Sequence, residues 1–133
     1  MSEPASQPED GATDPNTEDT DRFTVVDAPD AGRWEVRDGD RVVGIAQYVV
    51  VPGTDGHPDR VVFFHTEVRP ELEGHGLASR LARTALDATI ASGRDIVALC
   101  PYIRAWVARH PDPYASHVVP TTQADVDAVE KGR

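Results

Sequence analysis

The stretch Arg60-Val61-Val62-Phe63-Phe64-His65-Thr66-Glu67-Val68-Arg69-Pro70-Glu71-Leu72-Glu73-Gly74-His75-Gly76-Leu77-Ala78-Ser79 changes its hydrophobic period halfway along. Up to Val68 it reads as a strand. Strict alternation assigns Val61, Phe63, His65 and Glu67 to one face and Val62, Phe64, Thr66 and Val68 to the other. From Gly76 to Ala91 the pattern becomes helical. Leu77, Leu81, Ala85 and Ala88 form one stripe, Ala78, Ala82, Leu86 and Ile90 an adjacent one, and Arg80, Arg83 and Asp87 lie opposite. Gly93 fits a left-handed helix stop. The apolar run Asp95 to Cys100 then reads as a strand buried on both faces. Strand, helix and strand make a βαβ unit, whose crossover makes the two strands parallel and is right-handed.

The preceding residues attach to this unit as an antiparallel meander. Residues 22 to 28 read as an entry strand, and Arg33 to Arg37 alternate polar and apolar as a half-buried strand does. Asp38-Gly39-Asp40 is a hairpin turn signal, and Arg41 to Val51 form the returning strand. After Cys100, Pro101 suits the first turn of a second helix, with Ile103, Trp106 and Val107 on its apolar face and His110-Pro111 at its end. Tyr114 to Val119 read as a last short strand, and residues 120–133 as a polar tail with some helix. The expected class is α+β: a mixed sheet with an antiparallel N-terminal meander, a βαβ core and two helices, over residues 22–119.

Composition narrows the function classes. The 133 residues are enough for one domain with a modest core. Of the net charge of −10, seven acids and no Lys or Arg fall in residues 1–21, which read as a disordered acidic tail. The remainder is only mildly acidic, which argues against a nucleic-acid binder, since phosphate neutralisation needs clustered cations. No run approaches the roughly 20 apolar residues that span a bilayer. The single cysteine, Cys100, excludes an internal disulfide framework and a multi-cysteine zinc site, so no metal is expected. A cytoplasmic protein, monomeric or weakly dimeric, is the default expectation.

The chemistry concentrates where the first strand of the unit hands over to the helix. Gly74 and Gly76 flank His75 at a helix N-terminus, where unpartnered N–H groups and the macrodipole favour an anion and glycine admits phosphate oxygens close to the backbone. A plain turn is the rival reading. The loop lacks the third glycine of a dinucleotide fingerprint and the Gly-Lys-Ser/Thr of a Walker A loop. Glu71 and Glu73 bring negative charge to the loop and must point away from a bound anion, or the site is weaker than its glycines suggest. Cys100, between the second strand and a helix N-terminus, is a candidate nucleophile or cofactor contact, with a small buried hydrophobe as the alternative. His65 and Glu67 are candidate bases, against a core histidine and a rim ion pair. Tyr102 and Tyr114 are candidate proton donors, more simply read as packing residues. His110 lies at a helix end where a cation is favoured.

Val68-Arg69-Pro70-Glu71-Leu72-Glu73-Gly74-His75-Gly76-Leu77-Ala78 resembles the acetyl-CoA pyrophosphate loop of the GNAT superfamily of N-acetyltransferases. It departs from that loop at Glu71, where the family usually has Gln or Arg. Together with His65-Thr66-Glu67-Val68, Leu99-Cys100-Pro101-Tyr102-Ile103 and Arg109-His110-Pro111, it resembles the small single-domain subfamily known as YjdJ-like or NATD1-like proteins, over roughly residues 33 to 119. The resemblance implies a shortened GNAT fold, with acetyl-CoA as cosubstrate and an amine as acceptor. It puts the pyrophosphate on Gly74, His75, Gly76, Leu77, Ala78 and Ser79, the pantetheine arm beside Thr66, Glu67 and Val68, and Cys100 near the CoA sulfur. Three functions follow as expectations: acetyl transfer to an amine, a CoA-binding module with little turnover, and a thiol sensor built on Cys100.

Overall fold

The computed structural model describes residues 22–132; the stretch read as an acidic tail lies outside them. Strands β1 (Phe23–Ala28), β2 (Arg33–Asp38), β3 (Arg41–Val51), β4 (Arg60–Val68) and β5 (Asp95–Ala98) form one sheet in sequence order. The first four pair antiparallel, and β4 pairs parallel with β5. Helix α1 (Leu77–Ala91) makes the crossover, and α2 (Pro101–Arg109) follows β5. The α+β class, the antiparallel meander and the βαβ unit are as the sequence predicts.

Helix α1 buries Leu77, Leu81, Ala82, Ala85, Leu86 and Thr89. Gly93 (φ +78°) stops it, its N–H donating to Ile90 O at 3.0 Å while the Arg94 N–H reaches Thr89 O at 3.2 Å. With α2 it covers one face of the sheet. There Val61, Phe63 and Ile96 pack against Ala82, Leu86, Ile103 and Trp106.

The alternation expected along β4 does not hold through the strand. His65 pairs with Gln47 and Phe63 with Tyr48, so Phe64 is the extra residue of a β-bulge. A bulge puts two residues opposite one, which reverses the facing of everything beyond it. Val61 and Phe63 face α1, as do Thr66, which contacts Cys100, and Val68, which packs with Leu77. Val62 and Phe64 face the other side, and His65 and Glu67 join them there. The expected grouping of His65 and Glu67 with Phe63 is therefore wrong. Alternation counts residues, and it cannot see one that drops out of register.

Strand β5 also ends earlier than expected, at Ala98. The Leu99 and Cys100 amides both donate to Phe63 O, at 3.1 and 2.8 Å, instead of continuing along β4. The strand expected over Tyr114 to Val119 is not one. A helical turn at Pro111–Tyr114 and a 3-10 turn at Ala115–His117 precede a single parallel bridge, Ile96 to Val118.

The segment read as a polar tail is mostly helix. Helix α3 (Gln123–Gly132) packs on the face opposite α1, where Val129 joins Val62 and Val97. Thr122 and Asp125 form a capping box: the Thr122 N–H donates to Asp125 Oδ2 at 2.8 Å, and the Thr122 Oγ1 hydroxyl reaches the same oxygen at 3.1 Å. Asp125 is fully buried, and the Arg60 guanidinium pairs with its carboxylate and also donates to Pro120 O at 3.0 Å. Burial pushes the Asp125 carboxyl up. The Arg60 and Thr122 donors outweigh burial and hold it below its usual range.

Asp125→Ala leaves Arg60 without its buried partner, a change that costs about 3–5 kcal/mol. Urea denaturation is expected to show a loss of that size, and an unchanged midpoint would remove the clamp from the account. Because the folded-state pKa is depressed, the contribution is present at neutral pH and fades as pH falls through the lowered value.

Candidate functional site

The turn from β4 into α1 depends on two glycines. Gly74 (φ +92°) and Gly76 (φ +73°) both occupy the left-handed region, and a Cβ at either would meet no atom within 4 Å. Backbone conformation, not crowding, therefore demands glycine there. The Arg80 N–H bonds Gly76 O at 3.0 Å and closes the first turn. The N–H groups of Leu77, Ala78 and Ser79 precede it, and helix geometry leaves such first-turn donors without intrahelical partners. The His75 N–H approaches Leu72 O at 3.4 Å. Along this turn runs a groove of about 300 Å³, lined by Glu73, Gly74, Gly76, Leu77, Ala78 and Ser79 and also by Val68, Leu72 and Tyr102. The structure thus brings the glycines, the helix start and the end of β4 to one surface.

The acidic residues of the loop are not equivalent. Arg69 Nε donates to Glu71 Oε2 at 2.8 Å, and Arg41 Nη2 to the same oxygen at 2.9 Å. The Arg69 bond is the main cause that holds the Glu71 carboxyl below its usual range. Two guanidiniums on one carboxylate leave a local excess of positive charge, so Glu71 does not repel an anion from the loop. Glu73 does line the groove, so the expectation that both acids point away fails for it, and its charge weakens the site. The Arg69–Glu71 pairing has a signal in sequence, two residues apart; Arg41 lies thirty positions away and has none.

Past Phe63 and Ala98, β4 and β5 no longer pair. Cys100 sits where they separate. Its side chain is buried, and its Sγ lies 3.5 Å from Thr66 Oγ1 across the opening. Cys100 also precedes Pro101 at the start of α2. Tyr102, in the first turn of that helix, lines the groove. Burial raises the Tyr102 phenol above its ordinary value, Arg109 opposes this, and the neighbouring Cys100 adds to it. A phenol raised in this way is protonated at neutral pH.

His65 and Glu67 lie on the other face. Both are largely exposed, and His65 Nε2 is 2.7 Å from Glu67 Oε1. His65 borders a second pocket of about 380 Å³ with Gln47, Phe64, Leu99 and Val129. The fold thus separates the expected site residues. Thr66, Val68, Cys100 and the loop share the α1 side, and His65 and Glu67 share the α3 side.

The remaining candidates have structural employment. Tyr114 is buried, donates to Asp87 Oδ1 at 2.6 Å, and packs edge-on to Trp106. His110 stacks on Trp106, with 4.2 Å between ring centroids. Ser79 Oγ accepts the Trp106 indole N–H at 2.9 Å, which fixes the first turn of α1 against α2. Among the described residues no group of three or more His, Cys, Asp or Glu could hold a metal ion, and no helix is long and apolar enough to cross a membrane.

Among proteins of curated function none matches this sequence significantly. Among solved structures, the chain is similar to an aminoglycoside acetyltransferase from an uncultured soil metagenomic sample, solved in complex with trehalose. The two are 11% identical with a TM-score of 0.45, and the match covers 92% of this chain but only 66% of that one. The family model is the informative comparison. Residues 33–117, from the first residue of β2 to the 3-10 turn after α2, match the model of the GCN5-related N-acetyl-transferases, and the chain belongs to that family.

Proposed function

We propose that the protein transfers the acetyl group of acetyl-CoA to an amine, as a small single-domain member of its family, monomeric or weakly dimeric and cytoplasmic. The observation that carries this reading is the groove along Gly74 and Gly76, which reaches Val68 at the end of β4 and Tyr102 of α2, beyond the point where β4 and β5 stop pairing. First-turn amides of Leu77, Ala78 and Ser79, with Gly74, His75 and Gly76, hold the pyrophosphate. The pantetheine arm follows Val68 and Thr66 to the opening, where the edge of β4 beyond Phe63 has no β5 ladder and offers its backbone at Thr66, Glu67 and Val68 as a partner. The acetyl thioester then lies beside Cys100.

At that point the amine nitrogen bonds to the thioester carbonyl carbon, the carbon–sulfur bond breaks, and the CoA thiolate leaves. His65, oriented by Glu67, takes the proton from the attacking nitrogen. Tyr102, which lines the groove, supplies one to the departing thiolate. Cys100 contacts the reacting end; a relay in which its sulfur carries the acetyl group is the other chemistry open to it.

A CoA-binding module with little turnover is the second reading. The bulge favours it, because it turns His65 and Glu67 to the face away from the groove. Steady acetylation across a panel of amines would eliminate it.

Calorimetric titration with CoA is expected to show binding, and its absence at millimolar CoA would end both readings. Gly76→Ala places a Cβ in the left-handed region, which costs about 1–2 kcal/mol. It is expected to weaken CoA binding by about tenfold. An unchanged affinity would detach the loop from the cofactor.

His65→Gln is expected to lower kcat about 10²–10⁴-fold with CoA affinity retained. A kcat within twofold of the parent would remove His65 as base. Mass spectrometry after acetyl-CoA alone separates the two roles of Cys100. The direct route leaves Cys100 unmodified, and an acetyl adduct that disappears on adding amine would establish the relay.

A further inference from the structure

The C-terminal end of α1 carries a cavity of its own. It lies between the last turn of that helix and strands β1, β2 and β3, and it shares no lining residue with the groove at Gly74 and Gly76. Asp27, Trp34 and Tyr48 line it from the strands, Thr89 and Ser92 from the helix end, and Arg94 from the segment that follows. The acetyl-transfer reading uses none of these residues.

The polar groups of the cavity divide by role. Tyr48 donates to Asp27 Oδ1 at 2.7 Å. Burial raises the Tyr48 phenol above its ordinary value and the Asp27 bond adds to this, so Tyr48 stays a neutral donor to the carboxylate. The Thr89 hydroxyl donates to Ala85 O at 2.8 Å, and the Ser92 hydroxyl to Thr89 O at 2.7 Å. With those protons spent, the two oxygens can only accept from a guest. Asp27, Thr89 and Ser92 thus offer acceptors, beside the negative end of the α1 macrodipole and the Trp34 and Tyr48 rings. All of these favour an ammonium. Arg94 is the opposite pole. Among the described residues it is the one arginine whose guanidinium has neither a hydrogen bond nor an ion pair, so it is not within ion-pair distance of Asp27. Its planar fork suits a carboxylate.

We propose that this cavity binds a small free α-amino acid as its zwitterion, with the ammonium on Asp27, Thr89 and Ser92 and the carboxylate on Arg94. An α-amino acid carries both charges on one carbon, which lets a single small body engage both poles. Size limits the side chain. At about 130 Å³ the cavity is well below the ~300–1,000 Å³ of drug-sized sites, so the side chain is a methyl group or little more. Binding is non-covalent and does not depend on acetyl transfer.

The two tryptophans of the chain report on the two places separately. Trp34 lines this cavity, whereas the Trp106 indole N–H bonds Ser79 in the first turn of α1. Proton–nitrogen NMR of the full chain resolves the two indole signals, assigned with Trp34→Phe. Titration with L-alanine is expected to shift the Trp34 signal saturably and to leave that of Trp106 in place. Ethylamine lacks the carboxylate, propionate the ammonium, and glycine betaine the N–H donors; each is expected to bind at least tenfold more weakly than L-alanine. Arg94→Gln and Asp27→Asn, both at exposed positions, are each expected to weaken L-alanine binding at least tenfold, with the rest of the spectrum unmoved. A Trp34 signal indifferent to L-alanine at tens of millimolar overturns the proposal. So does an affinity for ethylamine, propionate or betaine equal to that for L-alanine, or an affinity that survives both substitutions. If L-alanine binds with this pattern and calorimetry shows no CoA binding, the acetyl-transfer reading fails and the amino-acid site stands. If CoA binds and L-alanine does not, only the amino-acid site falls.

Discussion

The carbonyl of Phe63 accepts two amides, from Leu99 at 3.1 Å and from Cys100 at 2.8 Å. The remaining geometry of the site follows from that double acceptance. It ends the parallel ladder, lets β5 turn off toward α2, and leaves β4 to run on alone. The bulge at Phe64 falls at the next residue and reverses which side chains face α1. Ladder end and reversal coincide, so the sheet opens where its two faces exchange character. Thr66 and Cys100 come to look at the helix side, and His65 and Glu67 look away from it.

The coarse architecture was legible because it depends on period. The change from strand alternation to helical stripes between Val68 and Gly76, and the glycines at 74, 76 and 93, placed β4, α1 and β5 to within a residue or two. The loop was legible for the same reason: left-handed glycines at a helix start leave a mark in sequence. What could not be read were events of register. Nothing in Val62-Phe63-Phe64-His65 announces that Phe64 drops out, although two adjacent aromatic residues are compatible with one facing each way. Helix α3 reads in sequence only as some helix within a polar tail because its stripe is thin. Val129 and the fully buried Asp125 face inward, and a buried aspartate makes a packed helix look polar. Its capping box with Thr122 was the available signal.

The two buried acids among the described residues, Glu35 and Asp125, are answered by arginine, and so is the exposed Glu71. Glu35, buried in β2, is held by Arg37 at 2.7 Å and Arg33 at 2.8 Å, with the Arg37 bond the main cause of its lowered pKa. Asp125 has Arg60, and Glu71 has Arg69 and Arg41. Guanidinium suits these places because its planar fork satisfies a carboxylate and a backbone carbonyl together, as Arg60 does with Asp125 and Pro120. The effect at the loop is local. A glutamate where the family usually has a neutral or basic residue is compensated by its neighbours, so Glu71 does not weaken the pull of the helix start on an anion.

The clamp of Arg60 on Asp125 fastens α3 to the near end of β4, whereas the glycine loop grows from the far end of the same strand. The two are separate stretches of chain, joined by β4, and α3 packs on one face of the sheet while α1, which the loop opens, packs on the other. Substitutions in α3 and in the loop share no side-chain partner, so their effects on stability are expected to add. In evolutionary terms the two ends of β4 answer to separate demands, the clamp to folding and the loop to its own left-handed backbone, so a change at one end leaves the other intact.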